Sequence, residues 1–240
     1  MTASYNQSYG AGTSVFYPSG ISGWHLKSQS PTKSMSIDNI SRDDNGHYLT
    51  DSRHVGGKQS QYTEVWEPDG DNAGAPDIEI GDIDNTICVE SASLRCTQGR
   101  PELTITGHVH ETKEDNAARH IGDTYECDFE FPSGAYGTVN PFPGAGIDSV
   151  NDYEITESTQ TFSVNHIDEP GRSGEFLVGA SRGVIRTGQM NLTTANTVAL
   201  GVKSNTGWAI TNTTSPATNE GVVKQTVTGT KYISTEGGSD

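Results

Sequence analysis

The sequence predicts an all-β fold, an antiparallel β-sandwich or barrel with long hairpins and loops and at most one short helix. Two observations support this class. Apolar and polar residues alternate with a period of two along many segments, as in antiparallel strands that have one buried face and one solvated face. The segments between them are rich in Gly, Pro, Asn and Asp, which are the residues that form turns.

The alternation predicts roughly ten or more strands. The clearest are "QYTEVWE", "PELTITGHVHE", "TYECDFEF", "QTFSVNHI", "RTGQMNLTT", "TVALGV", "GWAIT" and "VVKQTVTGTKYI". The segment "TKEDNAARHI", from Thr112 to Ile121, is the only helix candidate. It begins like a capping box but has room for only about two turns.

Length and composition predict a single β-rich structural domain over residues 1–240, with polar arms at both ends. The chain carries 31 acidic and 15 basic residues, a net charge of -16. Such a charge disfavours gripping DNA through its phosphates. The net charge is consistent with three explanations: high solubility, a surface that lies close to DNA or to other copies of the protein without binding them, or adaptation to high salt. We expect neither a secretion signal nor a membrane segment, because no apolar run is long enough.

A hairpin pattern occurs twice. The stretch "GHYLTDSRHV", from Gly46 to Val55, resembles "GEFLVGASRGV", from Gly174 to Val184, with Tyr48 opposite Phe176. The preceding strands "SIDNI" and "SVNHI" agree as well. We therefore predict a duplicated β-hairpin and two pseudo-repeat halves, at about residues 20–135 and 150–235. The repeated arginines, Arg53 and Arg182, are suited either to a carboxylate of a neighbouring subunit or to a surface ion pair within the chain.

The metal-ligating residue types give weak signals. His108 and His110 share one face of a predicted strand, and a site there would add His120, Cys127 and Glu111, but a solvent-facing pair is the simpler interpretation. The other histidines, among them His47, His54 and His166, have no spacing typical of a metal site. A loose calcium site could use Asp69, Asp71, Asp77 and Glu79, although the EF-hand pattern fails at its twelfth position. We predict no metal and no cofactor.

The three cysteines, Cys88, Cys96 and Cys127, are an odd set and argue against a disulfide scaffold. A disulfide between Cys88 and Cys96 remains an alternative at this point. No nucleophile motif is present, because "GASRG" lacks the Gly-x-Ser-x-Gly spacing and no α/β pattern surrounds it. We therefore predict that the protein is not an enzyme.

Two long stretches suggest a family. They are "LKSQSPTKSMSIDNISRDDNGHYLTDSRHVGGKQSQYTEVWEP" and "FSVNHIDEPGRSGEFLVGASRGVIRTGQMNLTT". In style and pattern they resemble the tail-tube (major tail) proteins of long-tailed bacteriophages or archaeal tailed viruses. The resemblance implies a β-sandwich or barrel whose long hairpins join neighbours into stacked rings, and some members of the family carry a duplicated core.

The same resemblance implies a virion tail protein made in the host cytoplasm. Its partners would be further copies of itself in three- or six-fold rings, other tail proteins, and DNA that passes without specific binding. Candidate subunit contacts are Arg53, Arg182, Tyr48 and Phe176, and candidate lumen-facing acids are Glu126, Asp128 and Glu130. The alternatives are a capsid decoration or head-fibre protein, or a carbohydrate-binding β-sandwich. Trp24, Trp66 and Trp208 are too dispersed in the sequence to indicate a sugar platform.

Overall fold

A computed structural model of the chain describes residues 12–34, 37–39, 53–55, 59–84, 86–110, 122–134, 136–147, 154–170, 176–194, 200–203, 206–214 and 223–233. These residues contain thirteen strands and no α-helix, so the predicted all-β class is confirmed. The strands are β1 Trp24–Ser34, β2 Ile37–Asn39, β3 Arg53–Val55, β4 Gln59–Pro68, β5 Glu79–Asp84, β6 Ile87–Thr97, β7 Glu102–His110, β8 Thr124–Glu126, β9 Glu154–Pro170, β10 Phe176–Thr194, β11 Gly201–Lys203, β12 Trp208–Thr214 and β13 Val223–Ile233. The helix candidate Thr112 to Ile121 lies outside the described residues.

Eleven of the strands form one antiparallel sheet. Its order is β1-β4-β7-β6-β9-β10-β13-β12-β11, and β5 pairs with both β6 and β8. The other two strands, β2 and β3, pair with each other. The hairpin of β9 and β10 is the longest pairing in the sheet, with strands of 17 and 19 residues.

The two halves of the sheet have the same topology. The order β1-β4-β7-β6-β5 in the first half corresponds to β9-β10-β13-β12-β11 in the second, and the halves meet where β6 pairs with β9. The repeated hairpin pattern also agrees in one register position, because Ile37 pairs with Val55 and Val164 pairs with Val184. This strand order is what a duplication would produce. The equivalence of Tyr48 and Phe176 stays a prediction, because Tyr48 lies outside the described part of the chain.

The larger core lies between strands β1, β4, β7 and β6 of the first half and a covering layer. The layer consists of the segment around Phe16, of β5, which branches from the first residues of β6, and of the segment from β8 to Phe131. The ring of Phe129 packs edge-on against that of Phe162, 4.9 Å away. The buried sheet residues under this layer include Trp66, Val89, Leu94, Leu103 and Ile105.

A second core covers the other half of the sheet. It contains Phe142, Ala145, Ile147, Met190, Leu192, Trp208, Ile210 and Val227. Phe142 occupies a socket made by two glycines paired across strands, Gly188 and Gly229. A Cβ atom on Gly188 would lie 2.6 Å from the Phe142 ring. The loop "NPFPGAG", which from its sequence could have been a boundary or a projecting loop, therefore packs onto the sheet.

Buried polar side chains fasten the covering layer to the sheet. Glu64 on β4 accepts hydrogen bonds from Ser14 Oγ at 2.6 Å and from the Val15 amide at 2.7 Å, which holds the segment that carries Phe16. Gln160 on β9 accepts from the amide of Glu130 at 2.9 Å and donates to its carbonyl at 2.6 Å. These bonds satisfy backbone groups that no strand partner reaches.

Arg186 on β10 connects the two cores. Its guanidinium lies 5.0 Å from the ring centroid of Phe162 in the first core and 5.5 Å from that of Trp208 in the second. It also donates to Gln160 Oε1 at 3.0 Å. Burial lowers the pKa of this arginine, and the nearby Glu130 and Asp128 act in the opposite direction. None of the described residues belongs to a helix long and apolar enough to cross a membrane.

Candidate functional site

The candidate site lies where the sheet forks along β6. The first residues of β6 pair with β5, whereas the later ones, from Ser91 onward, pair with β9. Glu90 stands at the branch, as the extra residue of a bulge between Val89 and Ser91 in the pairing with β7. Bulges reorient neighbouring side chains and are frequent next to functional sites. We call the polar cluster at this branch the fork cluster: Asp82, Cys88, Glu90, His108, His166 and Ser181.

Three members of the fork cluster form one row across adjacent strands. Asp82 on β5 pairs with Cys88 on β6, and Cys88 pairs with His108 on β7. Residues directly opposite each other in antiparallel strands project to the same face. All three residues are buried, so their polar atoms must find partners inside the protein.

The hairpin of β9 and β10 supplies the opposing side of the cluster. His166 pairs with Ser181 across the hairpin. His166 Nδ1 lies 3.3 Å from Cys88 Sγ, 2.9 Å from Ser181 Oγ and 3.4 Å from Asp82 Oδ1. One imidazole nitrogen therefore faces the cysteine, the serine and the aspartate together.

Asp82 is held rigidly. Its Oδ1 accepts a hydrogen bond from Ser181 Oγ at 2.9 Å, and its Oδ2 accepts from the amides of Ser181 at 3.0 Å and Gly122 at 2.6 Å. Gly122 is required for this close approach, because a Cβ there would lie 2.3 Å from Asp82 Oδ2. The carboxylate thus ties β5 to β10 and to the segment before β8.

His108 is oriented from the other side. Its Nδ1 lies 2.6 Å from Glu90 Oε1, and its ring centroid lies 4.9 Å from that of His166. The Glu90 side chain is about one-third exposed (35%), while that of His108 is buried (1%). The bulge at Glu90 therefore lets a carboxylate at the protein surface orient a histidine in the interior.

This geometry does not suit nucleophilic catalysis by Cys88. A Cys-His-Asp triad uses one imidazole nitrogen for the thiol and the other for the carboxylate. In the fork cluster the same nitrogen, His166 Nδ1, contacts both. Burial also raises the pKa of the Cys88 thiol, although the hydrogen bonds to His166 and Ser181 oppose this, and Cys88 has no accessible surface. The arrangement can instead place a sulfur and two imidazole nitrogens around one point.

A metal-ligating group does form in the described residues, but its members differ from those that the sequence suggested. Cys88, His108 and His166 offer ligand atoms that all lie within 4.8 Å of one another. His108 is buried, so its interpretation as half of a solvent-facing pair is wrong. Cys127 packs in the first core and belongs to no such group among the residues that the structure describes. His110 is the last residue of β7, and Glu111 and His120 lie outside the described residues.

Sequence reasoning set His166 aside and did not identify β6 as a strand. The signal that could have led to this site is the hairpin of β6 and β7 around "TQGRP", which brings Cys88 opposite the end of β7.

Two further alternatives concern a disulfide and a calcium site. All three cysteines are buried and free, so Cys88 and Cys96 are not bridged. The proposed calcium acids do not gather. Asp69 lies beside His25, whereas Asp71 accepts from the Tyr136 hydroxyl, and no group of metal-ligating side chains in the described residues includes either.

The candidate lumen-facing acids lie on the outer side of the covering layer. Glu126 and Asp128 are exposed and Glu130 is half-buried, while the alternate residues Cys127 and Phe129 are buried. The strand itself is shorter than predicted and ends at Glu126. Beyond it the Phe129 amide donates to the Cys127 carbonyl two residues back, and Gln160 binds the backbone groups of Glu130. Glu126 pairs directly with Glu79 on β5, and Asp77 is exposed nearby in sequence. We call Asp77, Glu79, Glu126 and Asp128 the acidic face.

Three of the four candidate subunit contacts lie in described strands. Arg182 is exposed on β10 and pairs with Asn165 of β9. Arg53 lies in β3 and Phe176 begins β10, while Tyr48 lies outside the described residues. In the described residues, Asn165–Pro170 and Phe176–Arg182 pair only with each other, since the β6 and β13 pairings begin at Ser163 and Val184. We call this outer part of the hairpin the arm.

No known family model matches the chain, and no curated protein matches it significantly.

Proposed function

We propose that this protein is a virion structural protein of a tailed virus, which assembles into stacked rings that form the tail tube around passing DNA. The observation that carries the proposal is the arm, a long β-hairpin that extends beyond the sheet's own pairing. The amides of Ser181 in the arm and of the adjoining Gly183 are taken by Asp82 and Tyr125, but the strands of the arm have no further strand partner among the described residues. Together with the exposed Ile167, these strands can pair with a neighbouring copy without any new fold. The strand-order equivalence of the two halves fits a ring built from repeated modules.

The acidic face supports the second part of the proposal. Glu79 and Glu126 lie directly opposite each other, and like charges in that position destabilise a sheet. A protein that only needed solubility could spread these charges apart. A dense negative surface repels a polyanion, so copies of this face around a ring would let DNA slide past without binding.

The two alternatives differ in their support. A capsid decoration or head-fibre protein would also be acidic, β-rich and oligomeric, and it stays the second candidate. A carbohydrate-binding module commonly presents aromatic rings to solvent, whereas Trp24, Trp66 and Trp208 are all buried. The buried tryptophans therefore disfavour the carbohydrate-binding alternative.

Self-assembly tests the proposal directly. Purified protein, examined by analytical ultracentrifugation and negative-stain microscopy over a range of concentrations and salt, should form rings or tubes. Compact trimers or other small oligomers that never stack would favour a decoration protein. A strict monomer at every concentration and salt would overturn the proposal.

Charge reversal on the arm tests its role. Arg182→Glu should abolish or strongly weaken assembly, because a carboxylate on the neighbouring acidic subunit would then be repelled. Lys224→Glu makes the same change of charge at an exposed position on β13 and should assemble normally. Equal assembly by both variants would exclude Arg182 as a subunit contact.

A third experiment addresses the acidic face. Tubes that carry Glu126→Gln and Asp128→Asn together should bind DNA that wild-type tubes do not retain, especially at low salt. DNA binding equal to that of wild-type tubes would mean that these acids do not line the lumen.

A further inference from the structure

We propose that the fork cluster is a zinc site in which Cys88, His108 and His166 are the protein ligands. The proposal concerns metal binding by the single subunit and is independent of the proposed function in the tail tube. It replaces our expectation from the sequence that no metal binds, because the fold brings together three residues whose spacing in the chain gives no metal signature.

The ligand atoms are already close to the separation that a metal requires. With Zn–S near 2.3 Å and Zn–N near 2.0–2.1 Å, tetrahedral ligands lie roughly 3.3–3.6 Å apart. The distance from Cys88 Sγ to His166 Nδ1 is 3.3 Å, and all three ligand atoms lie within 4.8 Å of one another. Small side-chain rotations would close the remaining gap around an ion.

The residues around the ligands form the supporting shell that such sites use. The second ring nitrogen of a metal-bound histidine usually donates a hydrogen bond to a carboxylate, which fixes the orientation of the ring. Glu90 lies 2.6 Å from Nδ1 of His108 and so leaves Nε2 as the ligand atom. On the other side, Ser181 Oγ and Asp82 Oδ1 lie 2.9 Å and 3.4 Å from His166 Nδ1, the nitrogen that faces Cys88. A zinc ion bound to this nitrogen would replace both contacts, while the Asp82 oxygens stay held by Ser181 and Gly122.

The donor set selects the metal. One thiolate and two neutral imidazoles suit zinc, whereas calcium and magnesium require oxygen ligands. On binding, the Cys88 sulfur forms a bond to the metal and its proton goes to solvent, while both histidines bind as neutral rings. Three protein ligands leave the fourth tetrahedral position for water.

Such a site would join parts of the chain that are far apart in sequence. Cys88 and His108 belong to the first half of the sheet, whereas His166 belongs to the arm. A bound ion would therefore fix the angle at which the arm leaves the sheet. It would also stabilise the folded state by binding it in preference to the unfolded chain.

Titration with Co²⁺, a spectroscopic substitute for zinc, tests the proposal on untagged protein freed of metal by chelator. Wild type should bind one equivalent with a thiolate-to-cobalt charge-transfer band, and Zn²⁺ should displace it. Cys88→Ser should lose the band, and His166→Gln should bind at least about tenfold more weakly. Cys96→Ser is the matched control, because Cys96 is equally buried on the same strand and should leave binding unchanged.

A supporting-shell variant and a direct measurement complete the test. Glu90→Gln should weaken binding by about 10- to 100-fold while keeping the charge-transfer band. X-ray absorption of the zinc-loaded wild type should show one sulfur near 2.3 Å and nitrogens near 2.0 Å, a result that needs no variant to fold. A wild-type protein without the band, a band that survives Cys88→Ser, or a zinc shell without sulfur would each overturn the proposal.

Discussion

Cys88 Sγ and His166 Nδ1 lie 3.3 Å apart, although 78 positions separate the two residues in the chain. The two side chains meet at the point where β6 changes its pairing partner, because its first residues pair with β5 and its later residues pair with β9. The contact therefore depends on the way in which the two halves of the sheet are joined. Substitutions at the fork and at the covering layer test this account of the fold.

Gly122→Ala should destabilise the protein by about 1–3 kcal/mol, because the new methyl group would overlap Asp82 Oδ2 and the backbone of Ser181. Urea unfolding measures the change. Gly70→Ala is the control, since a Cβ there meets no atom within 4 Å, and it should leave the unfolding midpoint nearly unchanged. Equal stability of the two variants would contradict the close approach at Gly122.

Gly188→Ala should also cost about 1–3 kcal/mol, because its methyl group would push into the Phe142 ring. Phe142→Ala alone should cost about 3–5 kcal/mol through loss of the buried ring. The double variant should be more stable than the sum of the two effects predicts, since removal of the ring makes room for the methyl group. Strict additivity in thermal unfolding would show that the glycine pair is not a socket for Phe142.

Glu126→Thr should stabilise the isolated subunit by about 0.2–1 kcal/mol, because it removes a carboxylate that lies directly opposite Glu79 on the adjacent strand β5. The gain should shrink as salt is added, since salt screens exposed charges. Asp84→Thr provides the comparison. Asp84 is an exposed acid on the same sheet edge but pairs with Ile87, so no such gain is expected. A loss of stability on Glu126→Thr would show that the acidic pair carries no strain.

Cys96 and Cys127 should resist alkylation in the native protein. Burial raises the pKa of each thiol to about 12, so far less reactive thiolate is present than in an ordinary cysteine. At pH 8 the native reaction should be slower than that of the unfolded chain by about a thousandfold. Mass spectrometry of iodoacetamide-treated protein, with and without urea, measures both rates. Comparable rates in the two states would contradict the burial of these residues.

The raised thiol pKa values have a further consequence for stability. In the folded protein both thiols stay neutral up to about pH 12, while in the unfolded chain they lose their protons from about pH 8.5. The unfolded state therefore binds fewer protons between these values, and stability must fall as the pH rises through this window. Cys96→Ala should reduce the slope of that fall.

The sequence by itself determined the class of the fold and most of the strands. Strands such as β4, β7 and β13 were predictable because each alternates apolar and polar residues, which requires only that one face be buried. The alternation of exposed Glu126 and Asp128 with buried Cys127 and Phe129 was predictable for the same reason.

The fork cluster was decided by the tertiary structure alone. The central strand β6, "ICVESASLRCT", carries serines and a glutamate among its apolar residues and was not identified as a strand. The bulge at Glu90 shifts the register with β7 by one residue, and this shift brings His108 rather than its neighbour opposite Cys88. His166 joins them from the arm, beyond Ser163, the last residue of β9 that pairs with β6. Local patterns determine which face of a strand is buried, but register and long-range pairing determine which side chains meet, because both depend on the whole sheet.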